Sequence, residues 1–179
     1  PQPFLVMATQ NPLESEGTYN LPEAQLDRFM FKLKVDYPSE SQEAEILKLH
    51  SKQVNLNERL DTEIRTITDP ETVRKLIQLC GSVNVEDALV DYINKIVRAT
   101  RVWPAFHIGA SPRAGLALMQ CARTLAGFSG RDFAIPDDVV EVAIPALRHR
   151  VQLSAEAEIE GRDVDEELLA MIRGIEVPR

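Results

Sequence analysis

The sequence predicts a mainly α protein in which two β-strands near the start precede an all-helical domain. Residues 3–9 contain a continuous apolar run, which is typical of a strand buried on both faces. Residues 29–35 alternate in polarity, as expected for a half-buried strand. Beyond Pro38 the apolar residues recur at helical spacing. We therefore place a boundary there, with residues 1–38 as the remnant of an α/β core and residues 39–179 as a helical domain.

Capping signals delimit the expected helices. A short helix with Pro22 in its first turn is expected over 21–29. Ser39 and Gln42 form a capping-box pattern that opens a helix ending near Lys52. Asp69 and Pro70 supply an N-cap and a first-turn proline for a helix that ends at Gly81. Further helices are expected over 86–102, 111–127, 137–150 and 165–173, and residues 54–68 are expected to be irregular. The acidic segment 154–167 is expected to be a solvated connector, with an acidic docking surface as the alternative.

Charge and hydropathy argue against two classes of protein. The chain has 28 acidic and 20 basic residues, and its formal net charge of −8 opposes general attraction to nucleic-acid backbones. No apolar run approaches the ~20 residues needed to cross a bilayer, so membrane insertion is not expected. The composition predicts a folded protein with one sizeable core or two small ones.

The cysteines and the start of the chain indicate its compartment and its extent. Cys80 and Cys121 each lie in an apolar helical pattern, so buried free thiols and a cytoplasmic location are expected. The three histidines are scattered, and no metal site is expected. The sequence begins at Pro1 in the middle of an extended apolar segment, without an initiator Met or a signal peptide, and we expect the chain to be a fragment.

Asn11 is the first of three candidate site residues. It directly follows the first apolar segment, and the carboxyl ends of strands are where open α/β sheets place ligands. A neutral amide at that point can orient a water molecule by donating and accepting a hydrogen bond at once. The alternative is that Asn11 and Pro12 form an ordinary turn.

Two arginines are the other candidates. Arg28 comes immediately before the second expected strand, where its guanidinium group could spread positive charge over a transferring phosphoryl group. The alternative is a surface arginine paired with an acid. Arg113 falls in the first turn of the helix capped by Ser111, at the positive end of the helix dipole. A cation is unfavourable there unless an anion such as phosphate lies nearby.

The sequence has no phosphate-binding loop. None of its eight glycines begins a run of the form GxxxxGK followed by Ser or Thr, and no apolar run ends in Asp-Glu to hold magnesium. Without these Walker A and Walker B motifs, the chain is not expected to hydrolyse ATP by itself.

Taken together and in this order, three segments resemble the MoxR family of AAA+ ATPases. Residues 8–12 resemble its sensor 1, residues 16–29 its loop and arginine-finger segment, and residues 109–114 its sensor 2. The shorter string from Leu26 to Phe29 also occurs in magnesium-chelatase ATPase subunits. The resemblance implies that residues 39–179 are the AAA+ lid domain. It also implies that the strand bearing the phosphate loop, absent from this sequence, normally lies between the two expected strands, so their edges should be left unpaired.

The resemblance also implies a function for each candidate residue. Asn11 would position the attacking water, Arg113 would contact the γ-phosphate from the lid, and Arg28 would reach the nucleotide of a neighbouring subunit in a ring that is expected to be hexameric. The implied cofactor is ATP with Mg²⁺, bound by the full-length protein. The implied role is an ATP-driven chaperone that remodels or matures partner proteins, with von Willebrand factor A domain proteins as partners. The alternatives are a nucleotide-independent helical interaction module and a chelatase-type motor subunit.

Overall fold

The computed structural model describes residues 3–10, 22–52 and 55–178, and the chain is mainly helical over these ranges, as predicted. The helices described there are α1 (Glu23–Leu26), α2 (Glu40–Ser51), α3 (Leu56–Glu63), α4 (Pro70–Gly81), α5 (Asp87–Ala99), α6 (Pro112–Phe128), α7 (Pro136–Leu147), α8 (Ala155–Ile159) and α9 (Val164–Arg173). The strands described are β1 (Phe106–Ile108) and β2 (Gln152–Leu153), which pair antiparallel.

The hydrophobic core lies around α6. This helix packs against α4, α5 and α7, and α9 packs against α7. Small residues on α6, including Ala114 and Ala122, are fully buried and let the neighbouring helices approach closely. The largest fully buried apolar side chains are Tyr92, Ile96, Leu118, Leu147, Leu168 and Met171. This core fixes the ends of α6 and α7, where the candidate site lies.

The capping signals in the sequence are confirmed at atomic level. The Ser39 side chain accepts from the backbone N–H of Gln42, and the Gln42 side chain accepts from the backbone N–H of Ser39, so the capping box is complete. Asp69 accepts from the N–H groups of Glu71 and Thr72, and α4 ends at Gly81 as predicted. The cap signals therefore predicted the starts of α2 and α4 correctly.

The two expected strands are not formed within the described residues, and this corrects the prediction for 3–9 and 29–35. Residues 4–7 are largely exposed, and the second segment has no regular secondary structure. A strand is stable only when its N–H and C=O groups pair with a neighbour. In the second segment, the backbone bonds at Lys32 go to the helical domain: its N–H donates to the Pro145 carbonyl at 2.9 Å, and its carbonyl accepts from Arg148 at 3.2 Å.

Helices form in the segment that was expected to be irregular, 54–68, and in the expected connector, 154–167. Residues 56–63 form α3, which Asn55 caps through its side-chain oxygen, and α8 forms inside 154–167 with Ser154 as its N-cap. The β1–β2 pair was also not predicted, because strands of three and two residues are too short to show a periodicity. Short elements are thus where the sequence prediction is wrong.

Both cysteines are free thiols, as predicted, with Cys121 buried in α6 and Cys80 half-buried at the end of α4. Burial raises the pKa of the Cys121 thiol to about 11, so it is protonated and unreactive at neutral pH. None of the helices in the described ranges is both long and apolar enough to cross a membrane.

Candidate functional site

Arg28 lies in the turn that follows α1. The turn is closed by backbone hydrogen bonds from Arg28 N–H to the Gln25 carbonyl at 3.2 Å and from Phe29 N–H to the Leu26 carbonyl at 3.0 Å. The Arg28 side chain is exposed, whereas Asp27 and Phe29 on either side are half-buried against the helical domain. The turn therefore presents Arg28 outward from a segment that is fixed on both sides.

Arg113 lies in the first turn of α6, as predicted. Ser111 is the N-cap, and its hydroxyl oxygen accepts from the backbone N–H of Arg113 at 3.2 Å. The Arg113 side chain is exposed and, together with Arg28, lines an open depression of about 270 Å³. The rest of the lining is formed by Asp27, Met30, Leu116, Ala117, Gln120 and Arg150.

Asp27 connects the Arg28 turn to the cap of α6. Its two carboxylate oxygens accept from the Ser111 hydroxyl at 3.0 and 2.9 Å, and one of them also accepts from Arg150 Nε at 3.1 Å. A carboxylate near the N-terminus of α6 also interacts favourably with the helix dipole. One acidic side chain thus joins residues that are 84 and 123 positions apart in sequence.

Arg150 holds the backbone on both sides of Arg28. Its side chain is only 3% exposed, and its Nη2 group donates to the carbonyls of Asp27 at 3.1 Å and Phe29 at 2.8 Å. Its Nη1 group donates to the Ala146 carbonyl in α7 at 2.7 Å. Burial lowers the pKa of Arg150, an effect that the charge of Asp27 opposes and the charge of Arg113 reinforces. Arg150 remains protonated at neutral pH and is a fixed internal cation.

A second set of contacts fixes the segment after Arg28. The His149 ring nitrogen Nε2 is 2.9 Å from the Phe29 carbonyl. Lys34 pairs with Asp165 at 2.7 Å, and Asp165 also lies 3.0 Å from Arg148 Nε. Exposed ion pairs contribute little individually, about 1 kcal/mol or less. Several contacts on one short segment nevertheless restrict where it can lie, and they hold it against the ends of α7 and α9.

The depression is electrostatically suited to an anion. Within the described ranges, neither Arg28 nor Arg113 has an acidic partner within ion-pair distance, whereas Asp27 is neutralised by Arg150. Two guanidinium groups that have no acidic partner among the described residues, beside a helix N-terminus, match the charge and hydrogen-bonding pattern of phosphate oxygens. The structure therefore brings together two of the three candidate residues in an environment that fits a phosphate.

The third candidate, Asn11, lies outside the described residues. The described part of the chain contains no group of three or more His, Cys, Asp or Glu residues placed to hold a metal ion. The described site therefore offers positive charge and hydrogen-bonding groups to a ligand.

Comparison with known proteins identifies the family of the chain. The family model of the AAA lid domain matches residues 98–170, and that of the ATPase family associated with various cellular activities matches residues 1–31. The chain is 44% identical over 168 residues to the chaperone MoxR1 of Mycobacterium tuberculosis, an alignment that covers 88% of this chain and 42% of that protein. This chain belongs to the MoxR family of AAA+ ATPases.

Two further relatives extend the similarity over nearly all of this MoxR-family chain. It is 40% identical over 176 residues to the uncharacterized protein YeaC of Bacillus subtilis, which covers 98% of the chain and 53% of YeaC. A crystal structure from Cytophaga hutchinsonii, of a protein assigned as an ATPase, aligns with a TM-score of 0.86 at 35% identity, covering 100% of this chain and 56% of that one. The chain therefore spans about half the length of the curated relatives that it matches.

Gly109, at the start of the segment of this MoxR-family chain that resembles sensor 2, is required by a close backbone approach. A Cβ on Gly109 would lie 2.6 Å from the Cα atom of Arg101, at the end of α5. We expect Gly109→Ala to lower the free energy of unfolding by about 1–3 kcal/mol, because Arg101 backbone cannot move aside cheaply. The free energy is measured by urea unfolding of the 179-residue chain, followed by the fluorescence of Trp103.

Gly115→Ala is the matched control for that substitution. Gly115 lies inside α6, and the nearest atoms to a Cβ there are at 3.7 Å, which is ordinary contact. Because alanine favours helix more than glycine does, this variant is expected to be unchanged or up to about 1 kcal/mol more stable. Equal destabilisation of the two variants would contradict the role assigned to the close approach at Gly109.

The sequence alone did not predict three residues of the site. In the sequence, Asp27 is only a neighbour of Arg28, Arg150 is one of three consecutive basic residues at the end of an expected helix, and Ser111 is a cap. Their contacts join distant parts of the chain, and a single sequence carries no signal for such pairing. The one local clue is that Asp27 has no basic residue three or four positions away with which it could form an ion pair.

Proposed function

We propose that this chain is the sensor and lid region of an ATP-hydrolysing MoxR-type chaperone, and that Arg28 and Arg113 bind the phosphates of ATP. Residues 1–38 belong to the nucleotide-binding core and residues 39–179 to the lid. The observation that carries this proposal is the shared depression, which both arginines line without an ion-pair partner in the described part of the chain.

The residues of this chain supply charge and orientation in the proposed reaction. ATP with Mg²⁺ supplies the phosphoryl group, and the described arginines fit its oxygens rather than the metal ion. Arg28 stabilises the negative charge that spreads over the transferring group, and Arg113 holds the phosphates at the N-terminus of α6. We assign to Asn11, outside the described residues, the orientation of the attacking water.

We further propose that both arginines act on one nucleotide, held by a neighbouring subunit of a ring. The family resemblance alone divides them, with Arg28 acting on the neighbour and Arg113 on its own subunit. Their common depression favours the joint assignment, because a bound phosphate there would contact both side chains. A head-to-tail ring, expected to be hexameric, would place this depression against the next subunit.

Mixing two variants of the intact protein tests the joint assignment. Arg28→Ala subunits and Arg113→Ala subunits are each expected to be slow, and a one-to-one mixture is expected to stay slow, because no subunit carries both arginines. If the two arginines served different nucleotides, random mixing would rebuild about one quarter of the interfaces. Recovery of that share of wild-type ATP hydrolysis would overturn the joint assignment. A mixture with Arg98→Ala, an exposed α5 variant, controls for subunit exchange.

A second mixture tests whether the arginines act on the neighbouring subunit. Subunits that lack both Arg28 and Arg113 are mixed with subunits that carry both arginines but cannot bind nucleotide. Each kind is expected to be inactive alone, and the mixture is expected to regain activity at interfaces where one supplies ATP and the other the arginines. Absence of recovery at every ratio would place the arginines on their own subunit's nucleotide.

The similarity to a protein named as a chaperone supports the proposed chaperone role. We propose a cytoplasmic protein that uses ATP to remodel or mature client proteins, with von Willebrand factor A domain proteins as the first clients to test. Client binding that depends on ATP and is lost on Arg28→Ala would support this role. Client binding that does not depend on nucleotide would favour a helical interaction module. Metal insertion into a tetrapyrrole would favour a chelatase-type motor.

A further inference from the structure

We propose that Asp27 is a positioning residue that fixes Arg28 relative to Arg113, an inference that rests on the proposed function. Its carboxylate accepts from the Ser111 hydroxyl at 2.9 Å and from Arg150 Nε at 3.1 Å. The same Ser111 hydroxyl caps α6 through the backbone N–H of Arg113. Asp27 is therefore part of the turn that bears Arg28. Through the Ser111 hydroxyl, its carboxylate is also connected to α6, the helix that bears Arg113.

Arg150 gives this link its stiffness. It donates to the carbonyl before Arg28 and to the carbonyl after it, so the backbone cannot rotate at Arg28 without breaking a hydrogen bond to a buried cation. The Arg150 side chain is almost fully buried, and Asp27 is its charged partner. Loss of the Asp27 charge would leave a buried cation without its counter-charge, which weakens the arrangement as a whole.

The location of Asp27 argues for positioning rather than binding. A carboxylate that lines a phosphate-binding depression repels the ligand, so it weakens affinity unless its charge is compensated. Here Arg150 compensates the charge, and the hydrogen bonds of Asp27 go to Ser111 and Arg150. Such an acid contributes by holding the two arginines at a fixed separation, which matters most when the transferring phosphoryl group develops its charge.

The first test is Asp27→Asn in the protein expressed from its whole coding sequence. We expect kcat for ATP hydrolysis to fall by about 10- to 100-fold, since misplacing a catalytic group by about 1 Å has effects of this size. The KM for ATP is expected to change by less than about threefold, because Arg113 and the helix N-terminus remain. Asp27→Glu, which keeps the charge, is expected to recover part of the loss. Asp91→Asn, an exposed acid on α5, is the matched control and should behave as wild type.

The deciding test is a double-mutant cycle with Arg28→Ala. If Asp27 acts through Arg28, the double variant will be no slower than Arg28→Ala alone. A multiplicative loss in the double variant, or a normal kcat for Asp27→Asn, would overturn the positioning role. Normal turnover of Arg28→Ala would instead overturn the proposed function, so the two failures are distinguishable.

Ser111→Ala keeps the inference testable if Asp27→Asn does not fold. It removes one bond to Asp27 but leaves the Asp27–Arg150 ion pair, so a smaller loss of kcat with the same dependence on Arg28 is expected. Ser39→Ala is its control, because it also removes an N-cap hydrogen bond, at the start of α2 and outside the depression. Equal kcat in these two variants would show that Ser111 acts only as a cap and would contradict the link.

Discussion

Replacing Arg28 by alanine in the intact protein is expected to lower kcat for ATP hydrolysis by roughly 10³-fold or more, while ATP binding stays close to wild type. A guanidinium group is a planar, permanently charged donor that can contact two phosphoryl oxygens at once. Its benefit is largest in the transition state, where charge spreads over the transferring group. Alanine removes this stabilisation and leaves Arg113 to hold the ground state. Steady-state hydrolysis and equilibrium binding of a fluorescent ATP analogue give the two quantities.

Arg28→Lys separates charge from geometry in this experiment. Lysine keeps the positive charge but has no planar fork, so we expect a kcat between those of wild type and Arg28→Ala. Arg98→Ala removes an exposed arginine from the last turn of α5 and serves as the control for loss of one surface charge. Normal turnover in Arg28→Ala, with Arg98→Ala also normal, would contradict the catalytic assignment of Arg28.

The sequence predicted the elements whose ends carry their own chemistry. Asp69 and Pro70 define the start of α4, and Gly81 ends it, as the structure confirms. The cap at Ser111 likewise predicted that Arg113 lies in the first turn of α6. These signals are local, since a cap side chain bonds to N–H groups two or three residues away. Local chemistry was therefore enough to locate one of the two arginines on its helix.

The apolar face of α4 shows where periodicity alone is insufficient. Val73 and Cys80 are half-buried, but Leu76 and Ile77, which share the expected apolar stripe, stay about half-exposed. Periodicity predicts which residues share a face, but it does not predict whether a partner covers that face. The apolar residues at 4–7 are exposed for the same reason, since no strand pairs with them in the described part of the chain.

The convergence of the site was not predictable from one sequence. Arg28 and Arg113 are 85 positions apart, and each has an ordinary structural explanation when taken alone. They share a depression because Asp27 bonds to Ser111 and Arg150 bonds to the backbone around Arg28. These contacts are non-local hydrogen bonds between common residue types, and no spacing rule predicts them. The family resemblance, which depends on the order of the motifs, supplied the expectation of a shared chemistry.

Leu118→Ala is expected to lower the free energy of unfolding of the 179-residue chain by about 3–5 kcal/mol. Leu118 is fully buried in α6, the helix that carries Arg113 and packs against α4, α5 and α7. Truncation loses the transfer free energy of the side chain and leaves a cavity that a core of packed helices closes only in part. Urea unfolding followed by the fluorescence of Trp103, which is half-buried beside α9, measures the change.

Leu116→Ala is the matched control on the same helix. Leu116 is 57% exposed and lines the depression, so its truncation is expected to change stability by less than about 1 kcal/mol. Because the same residue type is removed two positions away, helix propensity contributes equally to both variants. Similar losses in the two variants would show that α6 is not seated in a packed core. The fixed geometry between Arg113 and the Arg28 turn would then need another explanation, since it depends on α6 and α7 being held together.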